Sequence, residues 1–128
     1  MATVRVPIYV ESRYKVNRKK IKESVHKVLD EHKINAPSEV SVAIIGSRKM
    51  RGLNKKFRNI DKSTNVLSFP QREGDIVAPV ANTLYLGDIV IAYPKVIEEA
   101  ARENMLVDDK ISELVEHSMR HLLGIHHK

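Results

Sequence analysis

A chain of 128 residues makes one domain and not comfortably two. Its composition, 42% hydrophobic and 30% charged, excludes global disorder, and the absence of cysteine excludes a disulfide scaffold, a cysteine nucleophile and any thiolate metal site. The 22 Lys and Arg against 16 Asp and Glu give a net charge of +6, unevenly spread: residues 1–64 carry 16 bases and 6 acids, residues 65–128 carry 6 and 10.

The opening, MATVRVPIYV, lacks the apolar block of a signal peptide, and no run approaches the ~18 apolar residues of a membrane span. A cytoplasmic protein is expected. Val4, Val6, Ile8 and Val10 alternate over residues 3–10, the period of a half-buried strand. Asn17 is placed to cap a helix over about 18–33 whose apolar stripe is Ile21, Val25, Val28 and Leu29. EVSVAIIG, residues 39–46, reads as a buried strand ended by Gly46. Ser47 then opens a short basic helix packing through Met50, Leu53 and Phe57. This stretch, SRKMRGLNKKFR, holds Arg48, Lys49, Arg51, Lys55, Lys56 and Arg58 with no acid among them. Such a cluster attracts a phosphate backbone whatever its base sequence, and equally suits a solvated helix face. A polar stretch leads to the strand NVLSF, stopped by Pro70. QREGDIVAPVAN reads as a loop, LYLGDIVIA as a strand, and Pro94 suits the first turn of the next helix. The last helix is expected from Asp108 or Asp109 to His121 or Leu123, with Gly124 as its left-handed C-cap. The order β-α-β-α-β-β-α-α, without repeats or linkers, indicates a single α+β domain over residues 1–128.

The strongest chemical signal is EHSMRHLLGIHHK at the C-terminal end. His117 and His121 lie four residues apart, about 40° from one another on one helix face, so both imidazoles can reach one metal ion. Ile111, Leu114, Val115, Met119 and Leu122 fill the adjoining arc, which places the pair where core meets polar face. A chain reversal at Gly124 lets His127, or failing it His126, supply a third nitrogen. The spacing His117-x3-His121-x2-Gly124-x2-His127 is that of the extended zinc motif of metzincin proteases. Three histidines leave a position for water, whose pKa zinc lowers from 15.7 to about 7. The protease motif has Glu after its first histidine as general base, whereas Ser118 stands here, so a peptidase is not expected.

HSMRHLLGIHH resembles the signature HGxLHLLGYDH of the YbeY family, bacterial endoribonucleases and maturation factors for ribosomal RNA. LNKKFRNIDKSTNVLSFP (53–70) resembles the family's LN-x-x-[YF]-R-x-x-D-x-x-T-[DN]-V-L-S-F-P, and LYLGDIVIAYPKVIEEA (84–100) its L-G-D-I-[VI]-I strand and following helix. The resemblance runs from about residue 40 to the end; the first 35 residues match only in layout. It implies a zincin-like α+β fold, a mixed, mostly four-stranded sheet with packed helices around a central metal-binding helix. It implies one zinc ion per chain, held by His117, His121 and His127, with Arg58 matching the family's functional arginine. His117 and Arg58 are then the catalytic residues. A guanidinium suits bidentate contact with phosphate and the charge of phosphodiester cleavage; its alternative here is an ion pair with Asp61. Ser68 either faces the cleft or satisfies a strand edge, and Asp88 either orients a ligand histidine or caps a turn. Ser118 and His126 depart from the family's Gly and Asp, adding a hydroxyl near the metal and a second imidazole beside the third ligand. A ligand one residue before Lys128 is expected to fray and hold metal weakly.

The resulting expectation is a single-strand-specific, zinc-dependent endoribonuclease maturing ribosomal RNA, at the 3′ end of the small-subunit RNA. Arg48, Lys49, Arg51, Lys55 and Lys56 bind the RNA, and the small ribosomal subunit is the partner. The rivals are a ribosome-associated RNA-binding factor whose metal is structural, and a metal hydrolase of another substrate. Oligomeric state is not written in the sequence.

Overall fold

The computed structural model describes residues 3–71 and 83–126. Its elements are β1 (Val4–Arg5), β2 (Ile8–Val10), α1 (Arg18–Glu31), β3 (Ser38–Ile45), α2 (Ser47–Arg58), β4 (Val66–Pro70), β5 (Leu84–Ala92), α3 (Tyr93–Arg102) and α4 (Val107–His126). The expected order holds, except that the first strand is cut in two. Val4 pairs with Ser38 and Ile8 with Val42, so β1 and β2 are one strand in one register against β3. Pro7 makes the break: it has no N–H to give the ladder, although its carbonyl still accepts from Val42 at 2.9 Å. The five strands therefore occupy four positions. β3 runs parallel to β5, and β4 closes the sheet antiparallel to β5 as its other edge.

Local chemistry explains the helices. The Asn17 side chain accepts from Lys20 N at 3.0 Å and starts α1, which buries Ile21, Val25, Val28 and Leu29 as its spacing requires. Pro94 lies in the first turn of α3, where its missing N–H costs nothing. α1 and α4 cover one face of the sheet and enclose the main core, including Val40, Val42, Ile44, Ile89, Ile91, Val115, Met119 and Leu122. On the other face α2 packs its Met50 into a smaller cluster with Ile45, Leu67, Val90 and Ala92. Phe57, expected to pack with Met50 and Leu53, is 50% exposed and meets Phe69 of β4 edge to face. Lys110, only 5% exposed, is satisfied by Glu103 at 3.1 Å and Glu113 at 2.9 Å where α3 meets α4.

Gly87 has a φ of +140°, and a Cβ there would stand 2.3 Å from the Phe69 carbonyl oxygen. This glycine is what lets β4 and β5 approach at the register break between Glu39 and Val40. The last helix corrects one expectation. α4 runs through Gly124 to His126, and Gly124 takes no left-handed turn. A helical glycine costs only about 1 kcal/mol, and Leu122 and Leu123 are fully packed on the turn before it. Of the expected loop at 71–82, residues 72–82 lie outside the described residues, as does His127. Among those described, no helix is long and apolar enough to cross a membrane.

Candidate functional site

α4 packs against α1, α3, β4 and β5. Its inner face is formed by Ile111, Leu114, Val115, Met119, Leu122 and Leu123, all buried, with Ser118 among them at 2% exposure. His117 and His121 are both exposed at the border of that face, as the angular argument requires. Ser118 therefore belongs to the packed side of the helix.

β4 meets this border. Ser68 pairs with Ile89, a residue of the main core, so its side chain points to the face covered by α4. Ser68 Oγ lies 2.8 Å from His121 Nδ1. When Nδ1–H donates to this hydroxyl, the lone pair on Nε2 faces outward, available to a metal or a proton. Arg58 arrives from the opposite face. It is the last residue of α2, and Asn59, at φ 60°, turns the chain away after it. The Arg58 guanidinium donates to the Ser68 carbonyl at 3.2 Å and to the Phe57 carbonyl at 3.4 Å, and lies 5.2 Å from the centre of the Phe69 ring. The edge of β4 thus joins an imidazole, a hydroxyl and a guanidinium.

Asp61 is bound by Arg51 through two bonds of 2.7 and 3.1 Å, so the alternative partner proposed for Arg58 is taken. The guanidinium beside it holds the Asp61 carboxyl below the usual carboxylate range. Arg58 has no carboxylate partner among the described residues. Lys49 is likewise occupied, by Glu11 at 2.9 Å, while Arg48, Lys55 and Lys56 stand on the exposed surface of α2.

Asp88 is not brought to the histidines. It neighbours Ile89 on β5 and so points to the α2 face, opposite α4. There it accepts from Tyr85 Oη at 2.6 Å and from the Ser41 hydroxyl. Neither orienting a ligand histidine nor capping a turn describes it; it ties two neighbouring strands together. Burial, and then the bond to Asp88, push the Tyr85 phenol up to about 12.

The chain reversal expected at Gly124 does not occur. His126 is the last residue of α4, and His127 is outside the described residues. Among the described residues no three His, Asp or Glu gather to hold a metal ion. The donor set present, two exposed imidazoles one turn apart with one oriented by a hydroxyl, fits half of a nitrogen-rich divalent-metal site. The sequence reading missed the aromatic pair Phe57 and Phe69, packed edge to face at 5.2 Å beside Arg58. The position of Phe57 immediately before that arginine, in a helix otherwise basic, is the signal that pointed there.

Comparison with known proteins agrees over nearly the whole chain. The family model described as Endoribonuclease YbeY matches residues 8–128. A protein of that name from Acinetobacter baylyi is 34% identical over 113 residues, covering 88% of this chain and 71% of its own. Another, from Caldicellulosiruptor saccharolyticus, is 37% identical over 84% of this chain and 77% of its own. The solution structure of TM1509 from Thermotoga maritima has a TM-score of 0.57 at 27% identity, over 91% of this chain and 71% of that one. The motif resemblance, the mixed α+β sheet and these matches converge on one assignment: the chain belongs to the YbeY endoribonuclease family.

Proposed function

We propose that the chain is a single-domain, metal-dependent endoribonuclease that cuts single-stranded RNA during ribosomal RNA maturation, at the 3′ end of the small-subunit RNA. It works in the cytoplasm with the small ribosomal subunit as its partner. The observation that carries the reading is the meeting of His121, Ser68 and Arg58 at the β4 edge, in a chain of an endoribonuclease family.

In this reading His117 and His121, with His127 as the third donor, hold one zinc ion. Such an ion supplies a Lewis acid for a phosphoryl oxygen and acidifies water. Ser68 fixes the ring of His121 through Nδ1, so that Nε2 keeps one direction. Arg58 uses two of its N–H groups on backbone carbonyls, and the others are free to fork onto the scissile phosphate and onto the charge that grows there during cleavage. Asp88 lies on the wrong face to act as general base, and among the described residues no carboxylate is tied to Ser68, His121 or Arg58. Proton transfer is therefore left to an imidazole, and an ion, when bound, would supply the acidified water.

The test is cleavage of an end-labelled single-stranded RNA by the purified protein, with Arg58→Ala and His121→Ala prepared in parallel. The expected outcome is a loss of about 100-fold or more in kcat for Arg58→Ala, the size seen when a transition-state donor is removed, with RNA affinity within about three-fold of wild type. Tight RNA binding without cleavage by the wild-type protein would assign the chain to the RNA-binding factor reading instead.

A further inference from the structure

The basic helix α2 faces the sheet without closing on it. Lys49, Leu53 and Lys56 on the helix, with Tyr9, Ala43 and Val90 on the sheet, line an open groove of about 510 Å³. Tyr9 in this lining is 53% exposed, and Phe57, which follows the lining residue Lys56, is 50% exposed beside the groove. Three cations stand over three rings along this path: Lys49 is 5.6 Å from the centre of Tyr9, Lys56 5.2 Å from Phe57, and Arg58 5.2 Å from Phe69. Through Arg58 and Ser68 the path reaches His121. An apolar floor with rings beside it, each paired with a cation, suits a single strand, since its bases seek π-faces while its phosphates seek charge.

We infer that this groove is a nucleobase-stacking subsite, holding unpaired nucleotides that flank the cut with one base on Phe57 and the next running toward Tyr9. The inference rests on the nuclease reading and extends it. Lys56 and Arg58 leave their rings for the phosphates, whereas Lys49 keeps its Glu11 partner and closes the far end. Phe57 acts by holding the strand in place and takes no part in bond breaking. An acidic amphipathic peptide would satisfy the lysines, but nothing in it calls for three rings each paired with a cation.

The chain has no tryptophan, so Phe57→Trp places a single reporter beside the groove of the full-length protein. The probes are a decameric oligodeoxyuridylate, which carries bases and phosphates without being a ribonuclease substrate, and its abasic counterpart. Binding is followed by label anisotropy and, independently, by tryptophan emission. The expected result is strong quenching by the base-bearing oligomer, none by the abasic one, and about ten-fold weaker binding of the latter. In RNA cleavage, Phe57→Ala raises KM about ten-fold with kcat within about two-fold, and Phe57→Tyr restores it, a split that loss of packing alone would not give. Binding of the base-bearing oligomer without quenching overturns the inference and leaves the nuclease reading standing. Quenching by a Glu-rich amphipathic peptide and not by the oligomer also overturns it, assigning the groove to a protein. No binding of RNA at all removes both.

Discussion

The two faces of the sheet are built to different standards. The face under α1 and α4 is closed by long helices and lined by Val40, Val42, Ile44, Ile89 and Ile91, none more than 1% exposed. The face under α2 is half open. One short helix covers Ile45 and Val90 through its Met50, while Ala43, Leu53 and Phe69 are only partly buried and Ser41, Tyr85 and Asp88 form a polar knot beyond. Stability resides on the first face. The second gives up buried area and keeps charged and aromatic side chains in reach of solvent, which is where recognition chemistry has to be. The candidate site sits at the β4 edge, where the rigid face holds the histidines and the open face delivers Arg58.

Neighbouring residues of β5 break the comparison most sharply. Ile89 points into the closed face and Val90 into the open one. Ile89→Ala is expected to destabilise by about 4 kcal/mol, because its pocket is walled by two helices and cannot collapse. Val90→Ala is expected to cost about 1.5 kcal/mol, since fewer atoms are lost and the groove already admits water. Urea midpoints for the two variants measure the difference. Near-equal losses would show that the open face is as tightly packed as the closed one.

The polar knot gives a second contrast, read by pH. The Tyr85 phenol is raised from 10.0 to about 12, by burial first and by its bond to Asp88 second. A raised folded-state pKa means that its contribution is whole below pH 10 and is lost as pH climbs through about 12. Absorbance titration of the four tyrosines should show one late step near pH 12 that Tyr85→Phe removes. The same variant should lose the decline of stability over that window.

The smallest effect concerns the end of α4. Gly124 is helical, and a Cβ added there meets nothing within 4 Å. Gly124→Ala is therefore expected to stabilise by about 0.7 kcal/mol through helix propensity. A left-handed cap at that position would instead give a loss of about 1 kcal/mol, so the sign of the shift in denaturation midpoint distinguishes the two geometries.

Much of this architecture was legible in the residues. The alternation in EVSVAII already contained the asymmetry of the sheet: Val40, Val42 and Ile44 face the closed side, and Glu39, Ser41 and Ala43 the open one. Asn17 and Pro94 mark helix starts by mechanisms that act within a single turn, and both held. The pairing of His117 with His121 on an exposed border followed from helix geometry alone. What local pattern did not carry was anything decided by distant packing. Gly124 looks like a stop because glycine is a poor helix former, yet the buried Leu122 and Leu123 outweigh that cost. Asp88 looks like a partner for histidine until the sheet fixes which face it occupies. The contact of Ser68 with His121 joins residues 53 positions apart, and only the register of β4 against β5 brings it about.

Both edges of the sheet end on an arginine. At one edge Arg18 donates to the carbonyl of Ile8 at 2.9 Å, and at the other Arg58 donates to the carbonyl of Ser68. Each occupies an acceptor that points away from the sheet, the kind of group through which strands of separate molecules zip together. A second copy of the chain seeking to extend the sheet must displace a bound guanidinium and bury its charge before the first new bond forms. The protein thereby carries its own protection against edge-to-edge self-association.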